Sequence, residues 1–419
     1  MVAVLRSIGA LLISAAILLA GGGLLSTLIA IRAQLEGFPI IAIGLMTSAY
    51  FAGFIAGCLG TPFLVKRVGH VRVFAALSSL IAASVLVHVI AVNVPVWLGL
   101  RVLTGFSFAG LYMLIESWIN EQCPNDKRGQ VLSVYRMVDL GAVTAGQFML
   151  TLADPKDFVL FSIVAICISI AIFPISLSTS KAPIAVTETS LNLKKLAKTS
   201  PLAIAGCLAV GMANGAFWGV APVFVQQLGH PLVVVSLFMS VAIASGAALQ
   251  WPVGWLSDKL GRRPVLIILA FASVLAGLFV WQCAAMSEKL LLIGGAFYGA
   301  VAMQIFGLSA AHANDYAEPH EFVSISGGLL LIYGIGSVIG PSLAPIVMSI
   351  YGSSAMFAFT ACVHFSLGLY GLYRLTQRRA SEDNRDFVGM ARPRSGLLIL
   401  RSHPRNRLKL RKRPKDPLR

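Results

Sequence analysis

The chain has 419 residues, of which 57% are hydrophobic and only 12% are charged. Soluble globular domains carry about 25% charged residues, so this composition excludes a water-soluble fold, and the high apolar content excludes a disordered chain. The net charge of +16 is concentrated in residues 377–419, which hold 14 Lys or Arg and 4 Asp or Glu. The composition therefore predicts a membrane protein of several spans with a basic C-terminal tail.

Twelve apolar segments follow one another along the chain, each near or above the roughly 20 residues that a transmembrane helix needs. The first is too long for the apolar core of a cleaved signal peptide, so we expect it to be retained. Strands of a membrane barrel would be about ten residues long and would alternate in polarity, so the segments predict an all-α integral membrane fold. The spans are predicted at about 7–31, 40–65, 73–92, 95–119, 129–152, 157–179, 202–228, 232–256, 264–286, 290–313, 322–350 and 354–376.

Basic residues are unevenly distributed over the connections between these spans. With the N-terminus in the cytoplasm, the outer connections hold only Arg32, Lys156 and Lys289, whereas the cytoplasmic side holds 14 Lys or Arg even without the tail. Cytoplasmic loops of membrane proteins carry the excess of Lys and Arg. The sequence therefore predicts that both termini are cytoplasmic.

The longest polar connection separates two groups of six spans. We expect an N-terminal six-helix bundle at 1–179, a cytoplasmic linker at 180–201, a C-terminal six-helix bundle at 202–376 and a basic cytoplasmic tail at 377–419. The tail is expected either to bind anionic lipid headgroups or to be solvated. Beside a bilayer we do not expect it to bind nucleic acid.

A short motif recurs after the second and the eighth span. Residues 254–263 have the sequence GWLSDKLGRR, and residues 62–71 have the sequence PFLVKRVGHV. Gly261 and Gly69 lie 192 positions apart, at the same place in the two copies, where glycine permits a tight turn. Such spacing in two six-span halves indicates an internal duplication.

The copy at 254–263 matches the signature G-x-x-x-D-R/K-x-G-R-R/K of the major facilitator superfamily, which the chain resembles over about 7–376. Arg101 and Gly105 fit the family's R-x-x-x-G pattern in the fourth span. The first copy departs from the signature, because Lys66 stands where the family usually has Asp. The resemblance implies two bundles related by pseudo-twofold symmetry, a solute site between them and alternating access. It also implies that Asp258, with Arg262 in the same loop, helps to latch the outward-open state.

A narrower resemblance rests on residues 116–121 (ESWINE), 128–135 (RGQVLSVY) and 146–147 (GQ). These stretches are similar to a bacterial branch of the superfamily that includes riboflavin importers. The resemblance implies a multi-pass protein of a bacterial inner membrane that takes up riboflavin.

Four charged residues fall inside predicted spans, where charge is costly and is by default a sign of function. They are Arg101, Glu116, Arg136 and Asp139. One hypothesis gives Asp139 or Glu116 a role in proton coupling, with Arg136 as counter-ion, and gives Arg101 a role in gating or coupling. The alternative is a permanent ion pair that braces two helices, with Arg101 extending to the outer interface.

Aromatic and amide residues at mid-depth are the candidates for contacting a solute. A flat, neutral solute with hydrogen-bonding groups would suit aromatic walls with a few amides. The alternative for each residue is ordinary helix packing. The candidates are Asn214, Trp218, Gln304, Tyr50, Tyr112, Tyr298 and Tyr333.

Together these features predict a secondary active or facilitative transporter of a small organic solute, with riboflavin uptake as the leading hypothesis and protons as a candidate coupling ion. Multidrug or metabolite efflux by proton antiport is one alternative, and a non-transporting membrane receptor or sensor is another. We expect no enzymatic activity, no cofactor and no metal site, because the sequence lacks a nucleotide-binding Walker loop and the HExxH and GxSxG motifs.

Overall fold

A computed structural model describes residues 2–122, 128–176, 193–316 and 322–377. Most of the predicted linker lies outside these ranges. So does the predicted tail beyond its first residue, and with it the predicted binding of anionic lipid. We call residues 2–176 the first half and residues 193–377 the second half.

Every regular element within the described ranges is a helix. This confirms the predicted all-α fold. Fifteen α-helices and one short 3₁₀ helix (Leu150–Leu152) are present: α1 Val2–Leu35, α2 Ile40–Val68, α3 His70–Ile90, α4 Val94–Gln122, α5 Arg128–Met149, α6 Val159–Ile170, α7 Phe173–Ser176, α8 Leu193–Thr199, α9 Pro201–Gln227, α10 Leu232–Leu260, α11 Arg262–Cys283, α12 Glu288–Ala302, α13 Ile305–Asn314, α14 Phe322–Tyr351 and α15 Ala355–Gln377.

Eleven segments of the described chain are long and apolar enough to cross a membrane. The sixth of the twelve predicted spans is formed by α6 and α7, and the tenth by α12 and α13, which are separated by a break at residues 303–304. The predicted span that falls short is α5, which carries Arg136 and Asp139 within its 22 residues. It lies alongside α1 and α10, both of which are long and apolar enough to span.

The duplication is visible in the turns between helices. Gly69, between α2 and α3, has a φ of 85°, and Gly261, between α10 and α11, also has a φ of 85°. This left-handed conformation is accessible to glycine without steric cost, so each glycine allows two long helices to reverse direction across one residue. The motif therefore makes the same turn in both halves.

Close contacts between helix backbones also recur. A Cβ atom on Gly105 of α4 would overlap the carbonyl oxygen of Tyr50 in α2, and one on Gly299 of α12 would overlap that of Ala242 in α10. The two contacts are related by offsets of 194 and 192 residues. Small residues let membrane helices approach this closely, which increases their van der Waals contact.

A second pair of contacts follows the same relation. A Cβ atom on Gly146 of α5 would overlap the carbonyl oxygen of Ala20 in α1, and one on Gly340 of α14 would overlap that of Met212 in α9. The offsets are again 194 and 192 residues. The two halves thus repeat one packing arrangement, as two six-helix bundles of duplicated origin require.

The halves meet along α2 with α14, α5 with α10, and α1 with α9. The hydrogen bonds that join them lie toward one end of these helices, at residues 35–40 and 227–232, which we call the joined end. Gln227 donates to Gln34 at 3.3 Å, and the Ser236 hydroxyl donates to the carbonyl oxygen of Gln147 at 2.7 Å. The Ser48 hydroxyl donates to the carbonyl oxygen of Val338, also at 2.7 Å. The opposite end, where α1 begins and α15 ends, we call the termini end.

We predict that Gly105→Ala and Gly299→Ala both lower the midpoint of thermal unfolding of the purified protein in detergent. The added methyl group forces two backbones apart, and overpacking of this kind costs about 1–3 kcal/mol. Gly141→Ala is the matched control, because a Cβ atom on Gly141 of α5 meets nothing within 4 Å. Equal midpoints for all three variants would contradict the close helix contacts.

Candidate functional site

In the second half, Asn214 and Trp218 lie one turn apart on the same face of α9. Every residue from 213 to 225 is buried except Trp218, which is partly exposed, so α9 is enclosed on all sides but at this point. The side-chain oxygen of Asn214 is buried and accepts no hydrogen bond from any described residue. Buried polar atoms nearly always have a partner, so this oxygen indicates a place where a ligand or water binds.

Four aromatic rings face each other in the first half, and we call them the first aromatic wall. Tyr50 and Phe54 come from α2, and Phe108 and Tyr112 come from α4, each pair one turn apart. The ring centroids are separated by 5.7 Å for Phe108 and Tyr112, and by 6.3 Å for Phe54 and Tyr112. Gly22 of α1 brings its backbone against this wall, because a Cβ atom there would lie 3.1 Å from Phe108. The wall places Tyr50 and Tyr112 on one surface of the first half.

A second aromatic pair stands at the equivalent place in the second half. Phe306 of α13 and Tyr333 of α14 have ring centroids 5.3 Å apart in an edge-on arrangement. Phe306 lies 194 residues after Tyr112, and Tyr333 lies 194 residues after Asp139. The duplicated fold therefore places an aromatic residue in one half where the other half has a carboxylate.

Sequence reasoning did not select Phe54, Phe108 or Phe306. Two features of the sequence could have pointed to these residues. Phe54 and Phe108 are each four residues from a selected tyrosine, and Phe306 is the repeat equivalent of Tyr112. Phenylalanine is so common in membrane helices that composition alone does not distinguish these three residues from others.

Asp139 and Arg136 lie close together on α5. The Arg136 Nη1 atom is 3.8 Å from the Asp139 Oδ2 atom, beyond hydrogen-bonding distance but close enough for a strong charge interaction. The Asp139 side chain is only 1% exposed. Glu116, on α4, is also buried. Both carboxylates are thus removed from solvent inside the first half, as a proton-coupling role and a bracing role each require.

Arg101 differs from the other charged residues within the spans. Its residue exposure is 5%, and its guanidinium carbon lies 4.5 Å from the ring centroid of Tyr50. Its side chain makes no hydrogen bond or ion pair with a described residue, and its Nε atom is buried. Arginine is rarely buried without an anionic or carbonyl partner. Its burial against Tyr50 disfavours the alternative in which Arg101 extends to the outer interface.

Gln304 and Tyr298 take part in packing within the second half. The Gln304 amide donates to the carbonyl oxygen of Gly246 at 2.7 Å and to that of Ala300 at 3.1 Å, which ties the break between α12 and α13 to α10. Tyr298 is fully buried, with its ring stacked 5.5 Å from that of Phe217. These contacts favour the packing alternative for both residues.

The signature loop forms a network at the termini end of the second half. The Arg262 Nε atom donates to Asp315, which follows α13, at 2.7 Å, and its Nη1 atom lies 3.2 Å from Asp258. Arg263 donates to the Tyr316 hydroxyl at 2.6 Å. The network thus brings together Asp258 and Arg262, and holds the loop against the end of α13.

Family models and relatives agree on one superfamily. The model described as Major Facilitator Superfamily matches residues 11–281 and, again, residues 246–414. The chain is similar to the uncharacterized MFS-type transporter YcaD of Salmonella arizonae, with 27% identity over 343 residues, which make up 81% of this chain and 88% of that protein.

Solved transporter structures share the fold. The nucleoside transporter NupG superposes with a TM-score of 0.76 and 14% identity, covering 87% of this chain and 98% of that one. A D-xylose-proton symporter superposes with a TM-score of 0.68 and 14% identity, covering 90% of this chain and 99% of that one. Identities this low show a common fold and carry no information on the solute.

We predict opposite effects for the two buried amides. Gln304→Ala removes two hydrogen bonds to backbone carbonyls and is expected to lower the thermal unfolding midpoint, at a cost of about 1–3 kcal/mol. Asn214→Leu removes an unpaired buried oxygen and is expected to leave the midpoint unchanged or raised. The measurement is thermal unfolding of both purified variants in detergent. If Asn214→Leu destabilised the protein as much as Gln304→Ala, Asn214 would be a packing residue.

Proposed function

The chain belongs to the major facilitator superfamily, and on that premise we propose that it is a secondary transporter of a small organic solute in a bacterial inner membrane. The observation that carries this proposal is the unpaired amide oxygen of Asn214 beside the partly exposed Trp218. The first aromatic wall in one half and the Phe306–Tyr333 pair in the other support it. A solute held between two halves can be passed across the membrane by alternating access.

The joined end supports a particular direction of access. Lys and Arg are concentrated on the side of the termini, so we propose that the termini end faces the cytoplasm. The halves are hydrogen-bonded to each other at the other end, which would then be closed toward the outside. In this orientation the structure is an inward-facing state of the cycle.

Riboflavin is the first solute to test. Its flat ring suits the aromatic residues, and a ring N–H group would suit the oxygen of Asn214.

We assign energy coupling to Asp139, with Arg136 as its counter-ion and Glu116 as a second buried acid. Protonation of Asp139 would neutralise the charge that faces Arg136 and so change the relative stability of two conformations. We assign to Asp258 and Arg262 a latch at the termini end, because Arg262 ties that loop to Asp315.

The experiment is uptake of labelled riboflavin by a flavin-auxotrophic bacterium that expresses the full chain. Saturable uptake that is reduced about tenfold by Asn214→Leu and unaffected by Gln282→Leu would support the proposal. Gln282 is the control because it is an exposed amide near the end of α11. If the protein reaches the membrane and riboflavin does not enter, riboflavin is the wrong solute.

Two other results would favour the alternative functions. Drug resistance conferred by expression would favour efflux by proton antiport, and binding without flux in proteoliposomes would favour a receptor.

We predict that Asp139→Asn abolishes accumulation of solute against a gradient and leaves counterflow exchange intact. Asparagine has nearly the same shape but cannot take up and release a proton, so coupling is lost while the solute site persists. Asp157→Asn, in an exposed turn before α6, is the matched control. Accumulation and counterflow are both measured in proteoliposomes with an imposed proton gradient. Loss of both activities, or of neither, would count against coupling through Asp139.

A further inference from the structure

We propose that Arg101 binds an anionic group of the transported solute, so that the natural solute is an organic anion such as a carboxylate or a phosphate ester. This inference rests on the proposed transport function and narrows its solute class. It starts from one observation: Arg101 is only 5% exposed inside the first half, its Nε atom is buried, and it has no acidic partner among the described residues.

The other charged residues within the spans do not supply that partner. Asp139 lies beside Arg136. Glu116 is on the same helix as Arg101 but 15 residues away, which corresponds to about 22 Å along an α-helix. No carboxylate of the described residues lies within 4.0 Å of the Arg101 guanidinium. A buried cation without a counter-ion is costly, so a membrane protein keeps one where a ligand provides the charge.

The position of Arg101 connects it with the aromatic wall. Residues 101, 105, 108 and 112 lie on one face of α4, because they are spaced by three or four residues. Gly105 lets α2 approach at this level, and the Tyr50 ring lies against the guanidinium at 4.5 Å. A solute whose ring packs against Phe108 and Tyr112 would therefore present to Arg101 a substituent that reaches two to three turns back toward the start of α4.

The type of group follows from the chemistry of arginine. A guanidinium is always charged and presents N–H donors in a planar fork that matches carboxylate and phosphate oxygens. The Tyr50 ring covers one face of the guanidinium plane. This contact would fix the orientation of the plane and leave the N–H groups along its edge available to an anion. We therefore call Tyr50 a positioning residue for Arg101.

The test uses pairs of solutes that differ in one anionic group: riboflavin with riboflavin 5′-phosphate, uridine with uridine 5′-phosphate, and D-xylose with D-xylonate. Binding to the purified full chain in detergent is measured by equilibrium dialysis, with inorganic phosphate and acetate as simple anions. In at least one pair the anion is expected to bind ten times more tightly than its neutral twin. Arg101→Gln is expected to bring that ratio close to one, and Arg374→Gln, near the end of α15, is expected to leave it unchanged.

Two further variants keep the test decisive if Arg101→Gln does not fold. Tyr50→Phe retains the ring and should retain the ratio, whereas Tyr50→Leu should reduce it several-fold. The proposal is overturned if no anion binds more tightly than its twin, or if Arg101→Gln keeps the preference. It is also overturned if inorganic phosphate binds as tightly as the phosphate esters, because Arg101 would then hold a simple ion only.

Flux measurements separate this inference from the proposed function. If wild-type protein in proteoliposomes binds the anion preferentially but moves no solute, the proposed anion site is supported and the proposed transporter function is contradicted. If the protein transports a neutral solute and does not prefer its anionic twin, the transporter function is supported and the anion site is contradicted.

Discussion

The hydrocarbon core of a bilayer offers no hydrogen-bond partners, and much of this structure depends on that constraint. Polar side chains within the spans bond to backbone carbonyls of neighbouring helices: Gln147 of α5 to Gly23 in α1, Gln304 to Gly246, and Ser337 of α14 to Gly211 in α9. These bonds satisfy the polar groups and hold pairs of helices together. Other buried polar atoms, among them the Asn214 oxygen, the Arg101 Nε atom and the Ser78 hydroxyl, have no hydrogen-bond partner among the described residues. The first two are distinguished by their aromatic neighbours, Trp218 one turn along α9 and the Tyr50 ring.

The two halves share their geometry but differ in their chemistry. Glycine contacts and turns recur at offsets of 192 and 194 residues, because the helix packing they allow is needed twice. The charged residues within the spans of the first half do not recur at the equivalent positions. Positions 295, 310 and 333, which are equivalent to Arg101, Glu116 and Asp139, hold glycine, alanine and tyrosine. The buried charges of the second half lie instead at the signature loop, where Arg262 contacts Asp315. The same packing thus carries different chemistry in the two halves.

The sequence predicted most of the fold and part of the site. The spans were accessible because apolar length is a strong signal, and α5 was recognised as a helix although its charges keep it below the hydropathy of the others. The site was harder, because a residue type does not reveal which way it faces. Gln304 and Asn214 are both amides at mid-depth. Only the structure shows that Gln304 is bonded to α10 while the oxygen of Asn214 is not bonded. The isolation of Arg101 is likewise a property of three-dimensional neighbours.

The break at residues 303–304 has a mechanical consequence. It separates α13, a helix of ten residues that is about 15 Å long, from α12. One end of this helix carries Phe306, which touches Tyr333, and the other end is followed by Asp315, which is clamped by Arg262. An α-helix is stiff over such a length, so a displacement imposed on Phe306 reaches Asp315 almost undiminished. The chain thus contains a short stiff link between its interior and its signature loop, and this link begins at a helix break that Gln304 ties to α10.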